Sequence, residues 1–235
     1  MGLLIVIDGL DGSGKATQTK LAKDELQSLG YNVVSVSFPK YESDSSFAVK
    51  MYLQGQLGHD PNKLNPYMCS SFYAIDRAIQ FEQELWKVYR QPNTILLADR
   101  YLSANIIHQG GKIQDIDKMH KFFEWVYDFE TKKIGIPVED VTIALDVPID
   151  ISQKLMSERY KGHEEMKDIH EENIGYLNKC HRAFNEACRY LPTQGYNWVR
   201  IDCSNNGSIR SIEDIHHEIM DIINRTLAKR HIEKS

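Results

Sequence analysis

Leu3-Leu4-Ile5-Val6-Ile7-Asp8-Gly9-Leu10-Asp11-Gly12-Ser13-Gly14-Lys15-Ala16 decides the reading of this chain. The stretch opens on an unbroken apolar run, Leu3–Ile7. Such a run, short and without polar alternation, reads as a strand buried on both faces. Gly9 to Lys15 then follows the spacing GxxxxGK. Glycines let the backbone turn inward, so successive N–H groups point into one concavity. A helix opening at Lys15 adds the positive end of its dipole. Such a nest suits a triphosphate, and Lys15 can reach the β and γ oxygens. A plain strand-to-helix turn would need neither the lysine nor the spacing. The expected nucleotide cradle is Gly9, Leu10, Asp11, Gly12, Ser13, Gly14, Lys15, Ala16 and Thr17.

Ala16 departs from the pattern. Most such loops place Ser or Thr there, and the hydroxyl ligates Mg²⁺. Thr17 is next in sequence, but one helical residue turns the side chain by about 100°. Adjacency therefore does not give Thr17 the metal role. Either a water takes the hydroxyl's place, since Mg²⁺ keeps several waters, or the loop binds nucleotide without turnover.

Outward from the loop, β-branched runs alternate with helical spacing. Strands are expected at Asn32–Phe38, Thr94–Ala98, Val141–Leu145 and Trp198–Ile201. Helices are expected at Lys15–Leu29, closed by Gly30, and at Pro66–Tyr89, Asp115–Thr131, Ile149–Glu158, His170–Tyr190 and Ile212–Leu227. Alternation of this kind predicts an α/β fold, a doubly wound five-stranded parallel sheet with helices on both faces. The segment from Arg159 to Glu171 is charged and apolar-poor and reads as a loop. The tail from Lys229 to Ser235 reads as frayed.

The whole chain sets the bounds. Its 235 residues suit one domain or one with a small elaboration. Hydrophobic residues at 42% are enough for a sizeable core and argue against disorder. A net charge of −5 argues against binding nucleic acid or anionic membrane through bulk charge. Cys69, Cys180, Cys188 and Cys203 lie far apart, form no CxxC pair, and read as free thiols in a reducing cytoplasm. No apolar run approaches the roughly 20 residues of a membrane span. Leu3–Ile7 is too short for a signal peptide, and Val6 breaks a myristoylation motif.

The third strand ends in Ala98-Asp99-Arg100-Tyr101. An Asp at the carboxyl end of a strand beside the first can hold Mg²⁺, directly or through water. Arg100 can bind phosphate as a fork. Alone, the pair could equally be a surface Asp–Arg contact.

Five segments occur together and in order: Gly9–Lys15, Phe38-Pro39-Lys40-Tyr41, Tyr73-Ala74-Ile75-Asp76-Arg77, Asp99-Arg100-Tyr101 and Leu145-Asp146-Val147-Pro148. In this set the chain resembles the thymidylate kinase family of P-loop nucleoside monophosphate kinases. The resemblance covers nearly the whole sequence. It implies one kinase domain over residues 1–235 with a lid at about 159–171, ATP as co-substrate, Mg²⁺, and phosphorylation of dTMP to dTDP. It also implies a homodimer in the cytoplasm.

Site roles follow from the same resemblance. Asp11 matches the loop acid near the sugar 3′-hydroxyl and the phosphates. Phe38 and Tyr41 match the segment lining the monophosphate site; relatives often carry Arg near Tyr41, and Lys40 is the nearby cation. Tyr73 stands where an aromatic ring stacks on thymine. Arg77, one helical turn on, matches the arginine that reads the base edge. Arg100 grips the acceptor phosphate, and Asp99 holds the metal. Ala104 stands where relatives have serine, with Ser103 just before it. Asn105, His108 and Gln109 fall at positions that approach base and sugar, His108 replacing an aromatic. The P-loop carries no extra basic residue, so Arg159, Lys161 or Lys167 of the lid must supply charge to the transferring group, with Arg159 the first candidate. The rivals are a deoxynucleoside kinase, which needs a general base where Phe38-Pro39-Lys40-Tyr41 stands, and a non-catalytic nucleotide-binding regulator, prompted by Ala16.

Overall fold

The computed structural model describes residues 1–159 and 174–234. A five-stranded sheet carries the fold: β1 (Leu3–Gly9), β2 (Asn32–Ser37), β3 (Thr94–Asp99), β4 (Val141–Asp146) and β5 (Trp198–Asp202), in the order β2-β3-β1-β4-β5. Every pairing is parallel, in keeping with the apolar, buried inner strands β1, β3 and β4. β1 is central and fully buried. Its connection leads to β2 on one edge, while the connection after β3 crosses back to β4. The loops after β1 and β3 therefore part at the carboxyl edge, the place where α/β sheets bind ligands.

Helices cover both faces. On one lie α1 (Lys15–Ser28) and α9 (Ile212–Arg230), whose Ala22, Leu26, Ile219 and Ile223 meet Leu3, Ile5 and Ile7. On the other lie α3 (Pro66–Gln80), α6 (Ile116–Tyr127) and α8 (Ile174–Tyr190), with Phe122, Phe123 and Phe184 against Leu4 and Val6. Gly30 ends α1 at φ +89°, its N–H bonded to the Gln27 carbonyl, as its place in the sequence predicts. Ser211 caps α9, accepting the Asp214 N–H. That helix runs to Arg230, three residues past its expected end, and Ile232 packs on the core, so most of the expected frayed tail is ordered.

The expected helix 66–89 continues from α3 through a π-helical turn, Phe81–Leu85, into α4 (Trp86–Tyr89). Likewise α6 continues as a π-helical turn over Asp128–Ile134. α7 spans Ile149–Arg159. Sequence periodicity misses α2 (Phe47–Leu53), α5 (Leu102–Ala104) with its π-helical extension Asn105–Gln109, and a hairpin of β6 (Ser204–Asn205) and β7 (Ser208–Ile209). Leu102–Gln109 is hidden from periodicity because Ser103, Asn105, His108 and Gln109 are as buried as its apolar residues. All four cysteines are free. No helix among the described residues is long and apolar enough to cross a membrane.

Candidate active site

The loop between β1 and α1 has the shape its glycines predict. Gly14 caps α1 at φ 81°, and among the described residues no side chain caps that helix's first N–H groups, which an anion can use. A Cβ on Gly9 would lie 2.5 Å from the Leu145 carbonyl oxygen, so only glycine fits against β4 there. Gly12, at φ +80°, lies against α7: its Cβ would lie 2.6 Å from the Ser152 carbonyl oxygen. Lys15 is nearly buried, with Nζ 3.1 Å from the Leu10 carbonyl and 3.5 Å from Asp11. Burial lowers its pKa, and Arg100 adds to this; Asp11, Asp8 and Asp99 oppose it. The Leu10 side chain is core, so only its backbone belongs to the cradle. Ala16 and Thr17 are both exposed.

Asp8 lies beneath the loop. It accepts the Ser103 hydroxyl at 2.5 Å and the Gly9 N–H at 2.8 Å. Burial raises its pKa, against the pull of Arg100 and Lys15.

Arg100 follows β3 at φ 66°, a left-handed conformation that is uncommon outside glycine and costs about 1–2 kcal/mol. Its N–H bonds to the Ile7 carbonyl, and its guanidinium pairs with Asp11. Burial works against its charge, but Asp11, Asp8 and Asp99 hold its pKa above the ordinary arginine value. Tyr41 acts on the same guanidinium while nearly half exposed. Lys40, beside Tyr41, has its ammonium on Glu84 at 3.0 Å.

Arg100 and Asp11 line a cavity together with Arg77 and Asn105. Its walls are Phe38, Pro39, Leu53 and Tyr73, with Ala104, His108 and Gln109 completing the lining. Phe38 is core and 5.8 Å from the Tyr101 ring; Tyr73 meets Tyr52 edge-on at 6.3 Å. His108 is buried, and its pKa falls to about 4 through that burial and the nearby Arg100, Lys15 and Lys112, against Asp11. Of the residues expected to bind the acceptor, Tyr41 alone is not part of this wall.

A second hollow opens beside Ala16. Ala16, Ser37 and Asp99 line it, with Lys20 and Lys23 of α1. Ser37 and Asp99 are register partners at the ends of β2 and β3. Asp99 Oδ1 is buried there with no hydrogen-bond partner among the described residues.

A sequence model of thymidylate kinases matches residues 7–219. The chain belongs to the thymidylate kinase family. A thymidylate kinase of an Exiguobacterium species is 25% identical over 234 residues, covering 99% of both chains. The thymidylate kinase of Halothermothrix orenii is 28% identical over 235 residues, covering 97% of this chain and 99% of its own. That of a Nostoc species is 27% identical over 223 residues, covering 94% and 95%.

Two residues of this family member escape sequence reading. Asp76 is buried, accepts the Lys40 N–H at 3.2 Å and the Ser45 hydroxyl at 2.5 Å, and so ties the segment after β2 to α3. Glu130, from the π-helical turn after α6, takes two N–H groups of Arg77 at 2.7 Å each and one from Asn105 at 2.9 Å. In sequence it is one charge in Asp128-Phe129-Glu130-Thr131-Lys132-Lys133, and nothing there marks it as buried. The expected lid falls outside the described residues, including Lys161, Lys167 and the side chain of Arg159, whose backbone ends α7.

Proposed function

We propose that this chain transfers the γ-phosphoryl group of ATP to the 5′-phosphate of dTMP, yielding dTDP and ADP. One observation carries the reading: Asp11 lines the acceptor cavity, pairs with Arg100 there, and also stands 3.5 Å from Lys15 of the phosphate loop. The donor and acceptor sites therefore abut at a single carboxylate, as in-line transfer between two nucleotides needs.

The acceptor phosphate is already anionic, so no side chain has to remove a proton. An acceptor oxygen forms a bond to the γ-phosphorus while the bond from that phosphorus to the β-bridging oxygen breaks. Arg100 holds the acceptor phosphate and offsets the repulsion between the two anions. Lys15 and the loop N–H groups stabilise charge on the β and γ oxygens. Tyr73 and Phe38 flank the pyrimidine, and Arg77 and Asn105 meet its edge. Arg159, Lys161 and Lys167 are the cations proposed to close over the transferring group.

The donor set fits Mg²⁺. Among the described residues no three metal-binding side chains converge, but Mg²⁺ in such sites takes one or two carboxylates and fills its shell with phosphate oxygens and water. Asp99, with its unpartnered Oδ1 in the hollow beside Ala16, would be that carboxylate. The ion would neutralise charge on the β and γ phosphates.

The assembly we propose is a homodimer of single-domain, cytoplasmic subunits. Tyr67, Met68 and Ile75 of α3 and Ile116 of α6 are exposed apolar side chains, and contact with a second copy would cover them. Coupled ADP release tests the activity across the nucleoside monophosphates and thymidine. Turnover with dTMP and none with thymidine is expected. Faster turnover of thymidine points to a deoxynucleoside kinase, and binding without turnover to a regulator.

A further inference from the structure

We propose that Glu130, which does not line the cavity, is the positioning residue that makes the site select a thymine-type base over cytosine. The inference rests on the proposed acceptor site and adds what fixes its choice of base.

Glu130 is 1% exposed and bonds to both residues that face the base edge. Arg77 carries five N–H donors. Glu130 takes the one on Nε and one on Nη2; the Tyr101 carbonyl takes one on Nη1, at 3.2 Å. The plane of the guanidinium is thereby fixed, and two donors remain. Burial disfavours the arginine's charge, and Glu130, aided by Tyr101 and Asp76, more than restores it.

Asn105 is fixed by the same carboxylate. Its Nδ2 lies 2.9 Å from Glu130 Oε1 and 3.1 Å from the Ser70 carbonyl oxygen. Both neighbours are acceptors, so only the nitrogen end of the amide can stand there. Flipping the amide would set its oxygen against a carboxylate and a carbonyl. Both amide hydrogens are committed, and what Asn105 has left for the cavity is the acceptor Oδ1.

The wall thus presents donors from Arg77 and an acceptor from Asn105. A thymine or uracil edge offers the complement, a 4-oxo acceptor beside an N3–H donor. A cytosine edge offers the reverse, a 4-amino donor beside a bare N3. One buried carboxylate consumes the hydrogens that would let the wall read either base, and cytosine is rejected because polar groups would face like groups.

Glu130→Gln tests this. A carboxamide brings one acceptor and one donor to a place that needs two acceptors, and it releases Asn105 and Arg77. Binding of dTMP and of 2-deoxyribose 5-phosphate, which lacks the base, is measured for wild type and variant. The expected result is a loss of about 10- to 100-fold for dTMP with the baseless phosphate unchanged. An equal loss for both ligands would mean that Glu130 only supports the fold, and no loss for either would mean that it does nothing; both overturn the proposal. If Glu130→Gln does not fold, Glu130→Asp is read in the same way. Wild type alone keeps the proposal exposed: dCMP should bind at least about 100-fold more weakly than dTMP, and near-equal binding overturns it. Wild type that selects dTMP but releases no ADP would sink the kinase reading and leave this one standing.

Discussion

Arg100 and Asp11, 89 residues apart, pair where the phosphate loop meets the cavity. Lys15 shares that carboxylate from the loop side. Two cations are therefore held in place by one acid before any phosphate arrives, and neither must be ordered during the reaction. Such preorganisation is where positioning enzymes gain most of their rate. The left-handed backbone of Arg100 is part of its cost.

Two substitutions separate the side chain of Arg100 from its backbone. Arg100→Ala and Arg100→Gly should both lower kcat/KM for dTMP by about 10²- to 10³-fold, since each removes the charged fork. Stability should part them. Alanine keeps the left-handed penalty and glycine does not, so Arg100→Gly should be about 1 kcal/mol more stable than Arg100→Ala in urea unfolding. Equal stability would show that φ +66° is unstrained here.

Gly12 and Gly14 have nearly equal φ, 80° and 81°, and different surroundings. A Cβ on Gly14 meets nothing within 4 Å, whereas one on Gly12 meets the Ser152 carbonyl oxygen of α7 at 2.6 Å. Gly14→Ala should cost about 1 kcal/mol, the backbone penalty alone. Gly12→Ala should cost about 2–4 kcal/mol, because backbone must move as well. Urea midpoints at constant slope decide this, and equal costs would mean that α7 yields freely.

The sheet was legible because its buried inner strands leave nearly unbroken apolar runs, and the phosphate loop because its glycines and lysine fall within seven residues. Arg77, Tyr73 and Arg100 were reached by short motifs, each on a single element. Glu130 was not, since its partners lie 53 and 25 residues away and only tertiary packing brings them together. The turn Asn105–Gln109 was missed for a related reason: its polar residues face a cavity instead of solvent, so polarity no longer marks the outside of a helix.

His108 gives a pH signature of its own. Its pKa in the fold is about 4, below the ordinary value near 6.5, so the folded chain holds its proton less tightly than the unfolded one. Full stability is present above pH 6.5 and is lost as pH falls from there to about 4. The loss from this residue is about 2 kcal/mol at pH 5 and about 3 kcal/mol below pH 4. His108→Gln does not titrate, so its stability difference from wild type should shift by about 2 kcal/mol, in favour of the variant, between pH 7.5 and pH 5. A pH-independent difference in urea unfolding would show that the ring titrates alike in the folded and the unfolded chain.

Ala16 and Asp99 line one hollow, and a Mg²⁺ titration should weigh them very differently. If water takes the place of the missing hydroxyl, wild type turns over dTMP, and Ala16→Ser changes the Mg²⁺ requirement by a few-fold at most. Asp99→Asn removes the protein's charge on the ion, which solvent cannot replace, and should lower kcat/KM by about 10²-fold or more while raising the Mg²⁺ needed for half-maximal rate. Ser37, the register partner of Asp99 and a wall of the same hollow, offers a neutral oxygen there. Ser37→Ala should therefore fall between the two. If the loop is instead a decayed site, wild type will bind ATP without releasing ADP, and Ala16→Ser will restore turnover. Undamaged Asp99→Asn would remove the carboxylate from the metal's shell whatever Ala16 does.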